Sequence, residues 1–148
     1  RLMSTAVNTD RRSLSVRLLT PEGPIFDDVA YMVIAPSVMG EVGLLPRHAP
    51  LIAFLRMGET RITLMDDSKR IFVTTEGYVS IEDDHVLVMV EQAEEIGEID
   101  RARADASLQR AEEQIASAGD DEVAMTAAVA RKKRAENRLR SVDRAAGK

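Results

Sequence analysis

Five charged residues in the C-terminal third have types and spacings suited to holding an anion. Residues 99–104 read IDRARA, so Asp100 and Arg103 stand three apart and share a face if the segment is helical. Arg110 follows seven residues after Arg103 on that face, and Arg134 and Arg138 stand four apart further on. If the two segments fold back on each other about residue 119 or 120, position 103 comes level with about 136, which gathers Arg103, Arg134 and Arg138. Converging guanidiniums repel unless a carboxylate or another anion joins them. Asp100 and Glu94 can supply the carboxylate from within the chain, and a nucleotide phosphate can supply it from outside.

Other chemistries find less support. His48 and His85 are the only histidines and cysteine is absent, so neither a histidine zinc site, a thiolate metal site nor a cysteine nucleophile is expected. His48 lies in PRHAPL between two prolines, with no adjacent nucleophile or orienting acid to make it a catalytic base. His85 reads as an ordinary residue at a turn-to-strand step. Gly40, Gly43, Pro46 and Pro50 read as turn and loop formers, because no GK[ST] follows the glycines and no helix starts there. Aromatics make up 3% of the chain and the net charge is −5, which argues against nucleic-acid binding.

These residues are carried by two halves with different periods. From Leu14 to Glu91 the chain is a series of short β-rich runs: 14–20, 29–35, 51–55, 60–65, 70–75, 78–81 and 85–91. PEGP, MGE, MDDSK and EDD punctuate them as turns. The spacing predicts an all-β sandwich or barrel over residues 13–96; a parallel sheet would call for crossover helices, and none fits. After Gly97 the period becomes helical. Ala104, Leu108, Ala111, Ile115 and Ala118 form one stripe, and Ala124, Ala128, Ala135, Leu139 and Val142 form another. Gly119 suits the end of the first helix, and Asp120, Asp121 and Glu122 suit the start of the second. An antiparallel two-helix hairpin over 97–148 is expected.

Both stripes are made mostly of alanine, which buries little area. The hairpin therefore needs another surface to dock on, and weak docking makes it a detachable arm. Charge is segregated too. Residues 91–122 hold eleven acidic and three basic side chains, whereas 131–140 hold six basic side chains and Glu136. That pattern fits a weakly paired helix couple, or a basic helix that meets an acidic partner. Residues 1–12 read as a disordered tail that lacks the apolar run of a signal peptide, and no apolar run approaches the ~20 residues of a membrane span.

GEVGLLPRHAPLIAFLRMGETRI, residues 40–62, resembles the signature of the epsilon subunit of bacterial F-type ATP synthases. LLTPEGPIFDDVAYMVIAP resembles that family's opening strands, VEQAEEIGEIDRARA its junction into the hairpin, and RAENRL its second-helix arginine motif. The resemblance implies a sandwich followed by a two-helix hairpin, and a rotor-stalk subunit without an active site. It implies that the sandwich packs on the gamma subunit and on the polar loops of the membrane ring, with Glu41 and His48 on the ring-facing loop. It further implies coupling of ring rotation to the catalytic alpha/beta head, and a hairpin that extends into that head to block ATP hydrolysis. The implied location is peripheral, on the cytoplasmic face of the bacterial plasma membrane. In some members the family motif binds ATP, which carries over here to Glu94, Asp100, Arg103, Arg110, Arg134 and Arg138. ATP is then a regulatory ligand that holds the hairpin folded; no cofactor is required.

Two departures bear on geometry. Arg47 stands where the family carries glycine, so a positive φ there would strain this chain. TEGY at 75–78 replaces a double-glycine turn. The alternative from another class is a small-molecule-binding β-sandwich with a helical oligomerisation hairpin.

Overall fold

A computed structural model describes residues 11–147. The strands are β1 Leu14–Thr20, β2 Gly23–Ala30, β3 Met32–Ser37, β4 Gly40–Leu44, β5 Leu51–Leu55, β6 Gly58–Thr63, β7 Lys69–Thr74, β8 Gly77–Glu82, β9 His85–Val90 and β10 Ala93–Glu95. A 3₁₀ turn, Ile96–Glu98, leads into α1 Arg101–Ser117 and α2 Glu122–Ala145. The chain divides into two compact units, residues 1–95 and 96–148.

In the first unit the strands follow one hydrogen-bonded path, β10-β7-β6-β3-β5-β8-β9-β1-β2, with β4 joined to β3. The path folds over on itself. Phe26 on β2, at one end, meets Phe72 on β7, near the other, edge to face with ring centres 6.1 Å apart. Period-two burial explains the pairing. Leu14, Val16, Leu18 and Thr20 of β1 point inward while the residues between them face out. Val79, Ile81, Val86 and Val88 do the same on β8 and β9, and Leu44, Ile62 and Phe72 complete a filled interior.

Three expectations are corrected. The run 29–35 is not one strand, because β2 ends at Ala30 and β3 begins at Met32. Gly40 and Gly43, expected in turns, lie in β4, where Gly43 pairs with Ile34. One parallel pair exists: β1 lies beside β9, with Val16 opposite Val86. No crossover helix is needed, because seven intervening strands supply the long return that parallel pairing requires.

In the second unit, capping fixes both helix starts. Asp100 accepts the Arg103 backbone N–H at 3.2 Å, and Asp121 accepts that of Ala124 at 3.0 Å. α1 ends at Ser117 with Ala118 as its C-cap, after which Gly119 takes a left-handed φ of 58°. The buried residues are Ala104 and Ala111 on α1 and Ala128, Ala135, Asn137 and Ser141 on α2. The alanine seam is present as expected, but Ala124 is exposed and two polar side chains share the buried face.

Arg11 and Arg12, expected in the disordered tail, both make contacts. Arg11 forks onto Asp67 at 2.8 and 2.9 Å and lies 3.5 Å above the Tyr31 ring, and Arg12 pairs with Asp84 at 2.7 Å. The expectation for residues 1–10 lies outside the described residues.

Candidate functional site

The hairpin register decides which arginines meet. Arg101 pairs with Asp143, Lys132 with Glu112 at 3.9 Å, and Arg131 donates to Gln114 at 3.0 Å. These pairs centre the fold near residue 122, not 119 or 120. Arg103 therefore stands level with about 141, and the expected level near 136 is corrected by about five residues, or roughly 7 Å along the axis. Arg134 comes level with Arg110. Arg138 stands level with about 106, roughly one helical turn from the level of Arg103.

Asp100 spends one carboxylate oxygen on the α1 cap, so its first role is to start the helix. Arg103 and Arg110 are exposed, with Arg110 donating to Ser107 at 3.2 Å; Arg134 and Arg138 are half-buried on α2. Glu94 belongs to the first unit, on β10, paired with Val73 of β7. The acidic and basic runs do pair, through Lys132 and Glu112. The pair between Arg101 and Asp143 joins the open end of the hairpin and was not anticipated.

Glu41 and His48 are held separately. Glu41, on β4, forms an exposed ion pair with Arg61 of β6 at 3.0 Å. His48 sits between β4 and β5, where its Nδ1–H donates to the Ala49 carbonyl at 2.7 Å and its N–H donates to Leu45 at 3.1 Å. Beside it, Arg47 takes φ 71°, the left-handed value that the departure from glycine put at issue. Its backbone N–H donates to Asp84 Oδ1 at 2.6 Å. That bond, then the one from Arg12, holds the Asp84 carboxyl below its ordinary pKa.

Sequence reasoning also missed Glu95. Arg70 forks onto it through Nε and through a second nitrogen at 2.7 Å, and holds its carboxyl below the ordinary glutamate value. The guanidinium lies 5.6 Å from the centres of both Phe26 and Phe72. An apolar row was missed as well. Val38, Ile52 and Phe54 are 59%, 73% and 71% exposed, and Met39 at the β3–β4 turn is 93% exposed. Ile52 and Phe54 lie in the apolar run 51–55, where only the pleat tells which side faces out, and Val38 and Met39 lie at the turn that follows β3.

An all-β sandwich that hands over to a two-helix hairpin, with charged clusters at its surface and apolar side chains filling its interior, defines a two-part architecture. Its parts match the ATP synthase delta/epsilon chain β-sandwich domain over residues 13–96 and the long α-helix domain of the same chain over 98–143. The chain belongs to the ATP synthase delta/epsilon chain family. An ATP synthase epsilon chain of Acidithiobacillus ferridurans is 44% identical over 73% of this chain and 76% of its own length. One from Bacillus licheniformis is 35% identical over 86% and 96%. In the Euglena gracilis mitochondrial ATP synthase, a chain matches 90% of this one and 81% of itself, with a TM-score of 0.69 at 18% identity, a likeness of fold alone. No helix among the described residues is long and apolar enough to cross a membrane.

Proposed function

We propose that the chain is a non-catalytic central-stalk subunit of an F-type ATP synthase, peripheral to the membrane, whose hairpin restrains ATP hydrolysis. The observation that carries the regulatory part is the hairpin seam. Ala104, Ala111, Ala128 and Ala135 are its buried apolar residues, and an alanine methyl buries far less area than a leucine or isoleucine side chain. A pair of helices joined so thinly separates at low free-energy cost, which a reversible arm requires. The basic run 131–140 then offers charge to an acidic surface in the catalytic head. The exposed row of Val38, Met39, Ile52 and Phe54 supports docking of the sandwich on a stalk partner, the gamma subunit, and Glu41 and His48 face the ring loops.

Truncating the chain after Gly97 in the assembled complex is expected to raise ATP hydrolysis several-fold while the stalk still assembles. Unchanged hydrolysis in a complex of normal composition would remove the regulatory role.

ATP is the ligand proposed for Arg103, Arg110, Arg134 and Arg138, with Asp100 as an accompanying carboxylate. A ligand that binds only the folded hairpin stabilises it by RT ln(1 + [L]/Kd). Titration of the full chain with ATP is expected to raise its melting temperature, and Arg138→Ala to abolish the rise. The new register makes Arg103→Ala the sharper control. Loss of the effect in both variants would make both arginines part of the site despite their offset along the axis. A flat titration at millimolar ATP would leave an ion-pair cluster.

A further inference from the structure

We propose that Asp84 is a positioning residue: its carboxylate clamps the loop of residues 45–50 in a strained backbone shape and so fixes how His48 is presented to the stalk partner. The second half of this inference rests on the reading that the loop faces the membrane ring; the clamp itself does not.

Local chemistry leaves the loop little freedom except at one residue. Pro46 and Pro50 fix φ at two positions, and the His48 N–H to Leu45 closes the turn between them. Arg47, inside that turn, has φ 71°, a conformation that favours glycine and disfavours a side chain with a Cβ. Such strain persists only where the surroundings over-determine it. The determinant here is Asp84. Its Oδ1 takes the Arg47 N–H at 2.6 Å, and its Oδ2 takes Arg12 at 2.7 Å.

The carboxylate is aimed by a turn that is itself unusual. Asp83 and Asp84, between β8 and β9, both have positive φ, at 49° and 62°. Asp tolerates that region better than most residues. The turn is locked from two sides: Ser15 of β1 donates its N–H to the Asp84 carbonyl at 2.8 Å, and His85 donates Nδ1–H to the Asp83 carbonyl at 2.8 Å. Three of the four non-glycine residues with positive φ among the described residues thus meet in one cluster, 37 residues apart in sequence across the Arg47 bond. One charged acceptor joins the loop, the β8–β9 turn and the N-terminal segment. A hydrogen bond to a carboxylate is about twice as strong as a neutral one. The lowered carboxyl pKa at Asp84 agrees, with the Arg47 bond as its largest cause.

The distinguishing variant is Asp84→Gly. Glycine takes φ 62° without strain, so the turn survives while the acceptor is lost. In the isolated full chain, hydrogen exchange at the Arg47 amide is expected to quicken about tenfold, with the β8 and β9 amides unchanged. Association with a purified gamma subunit and membrane ring subcomplex is expected to weaken about five- to tenfold, as a loop with several shapes binds through a fraction of them. Arg47→Gly added to Asp84→Gly is expected to restore association to within about twofold, because glycine takes φ 71° without the strain that arginine carries there. Rescue of this kind separates positioning from a merely structural role. If Asp84→Gly melts early, Asp84→Asn, whose amide oxygen still accepts but without the charge, is expected to quicken Arg47 exchange in the same direction by a smaller factor. Unchanged Arg47 exchange overturns the clamp. Faster exchange with unchanged association overturns the positioning role. A wild-type chain that fails to associate overturns the stalk reading and the positioning role together, and is told apart by the Arg47 exchange, which needs no partner.

Discussion

Gly77→Ala is expected to lower the melting temperature of the sandwich by roughly 15 °C, from a destabilisation of about 3 kcal/mol or more. Gly77 opens β8, opposite Leu55 on one side and Val90 on the other. A Cβ built there lies 1.9 Å from the Met89 carbonyl oxygen and 2.9 Å from the Val90 Cα. Both atoms are backbone, so no rotamer change relieves the clash and β8 must part from β9. Those strands bury Val79, Ile81, Val86 and Val88, which makes separation costly across the core. Gly43→Ala is the control: it also lies in a strand, but its Cβ meets nothing within 4 Å. Its melting temperature should stay within a few degrees of wild type. Thermal melts of the two variants side by side decide the matter, and equal melting temperatures would show that the β8–β9 pairing adapts.

The same glycine shows how much of this protein is legible in its sequence. That residues 75–78 turn with a single glycine was visible, but what demands the glycine is a carbonyl contributed by β9, twelve residues away. Strands β1, β5, β8 and β9 announce themselves by apolar alternation or β-branched runs. β4 does not, because two of its five residues are glycine and only Leu44 is fully buried. β10 does not, because Ala93–Glu95 is three residues long and carries two glutamates. The two-helix hairpin was legible from its alanine period, but its register was not. Gly119 looks like the pivot, whereas Asp121 caps α2 and sets the restart, and every residue by which the pivot moves shifts the facing position by two. Asp100 was legible as important, but its part in starting α1 was not, since an N-cap and an anion ligand use the same residue type at the same spacing. The Asp84 clamp left no pairwise signal, because its partner is a backbone N–H that every residue but proline carries. Only the arginine at a glycine position hinted that something nearby must hold it.

Phe72→Ala is expected to destabilise the sandwich by about 3–5 kcal/mol, a large share of the 5–15 kcal/mol that domains of this size possess. Phe72 is 1% exposed and is among the largest fully buried side chains. Its ring sits at the seam where the two ends of the strand path meet, edge to face with Phe26. Truncation leaves a cavity bounded by strands from both ends, which cannot collapse without shifting one of them. A second consequence follows from Arg70. Its guanidinium lies over both rings and forks onto Glu95, the last residue of β10. With one ring removed, Arg70 loses half of its apolar seat, so the ion pair that pins β10 to β7 loosens. Urea unfolding should show the full loss for Phe72→Ala and only about 1 kcal/mol for the volume-conserving Phe72→Leu. Hydrogen exchange at Ala93–Glu95 should quicken more than the global loss explains. Exchange there that merely tracks global stability would mean that Arg70 holds Glu95 without help from the rings. Because β10 is the final strand before the 3₁₀ turn and α1, the aromatic seam then governs the firmness of the point from which the hairpin departs.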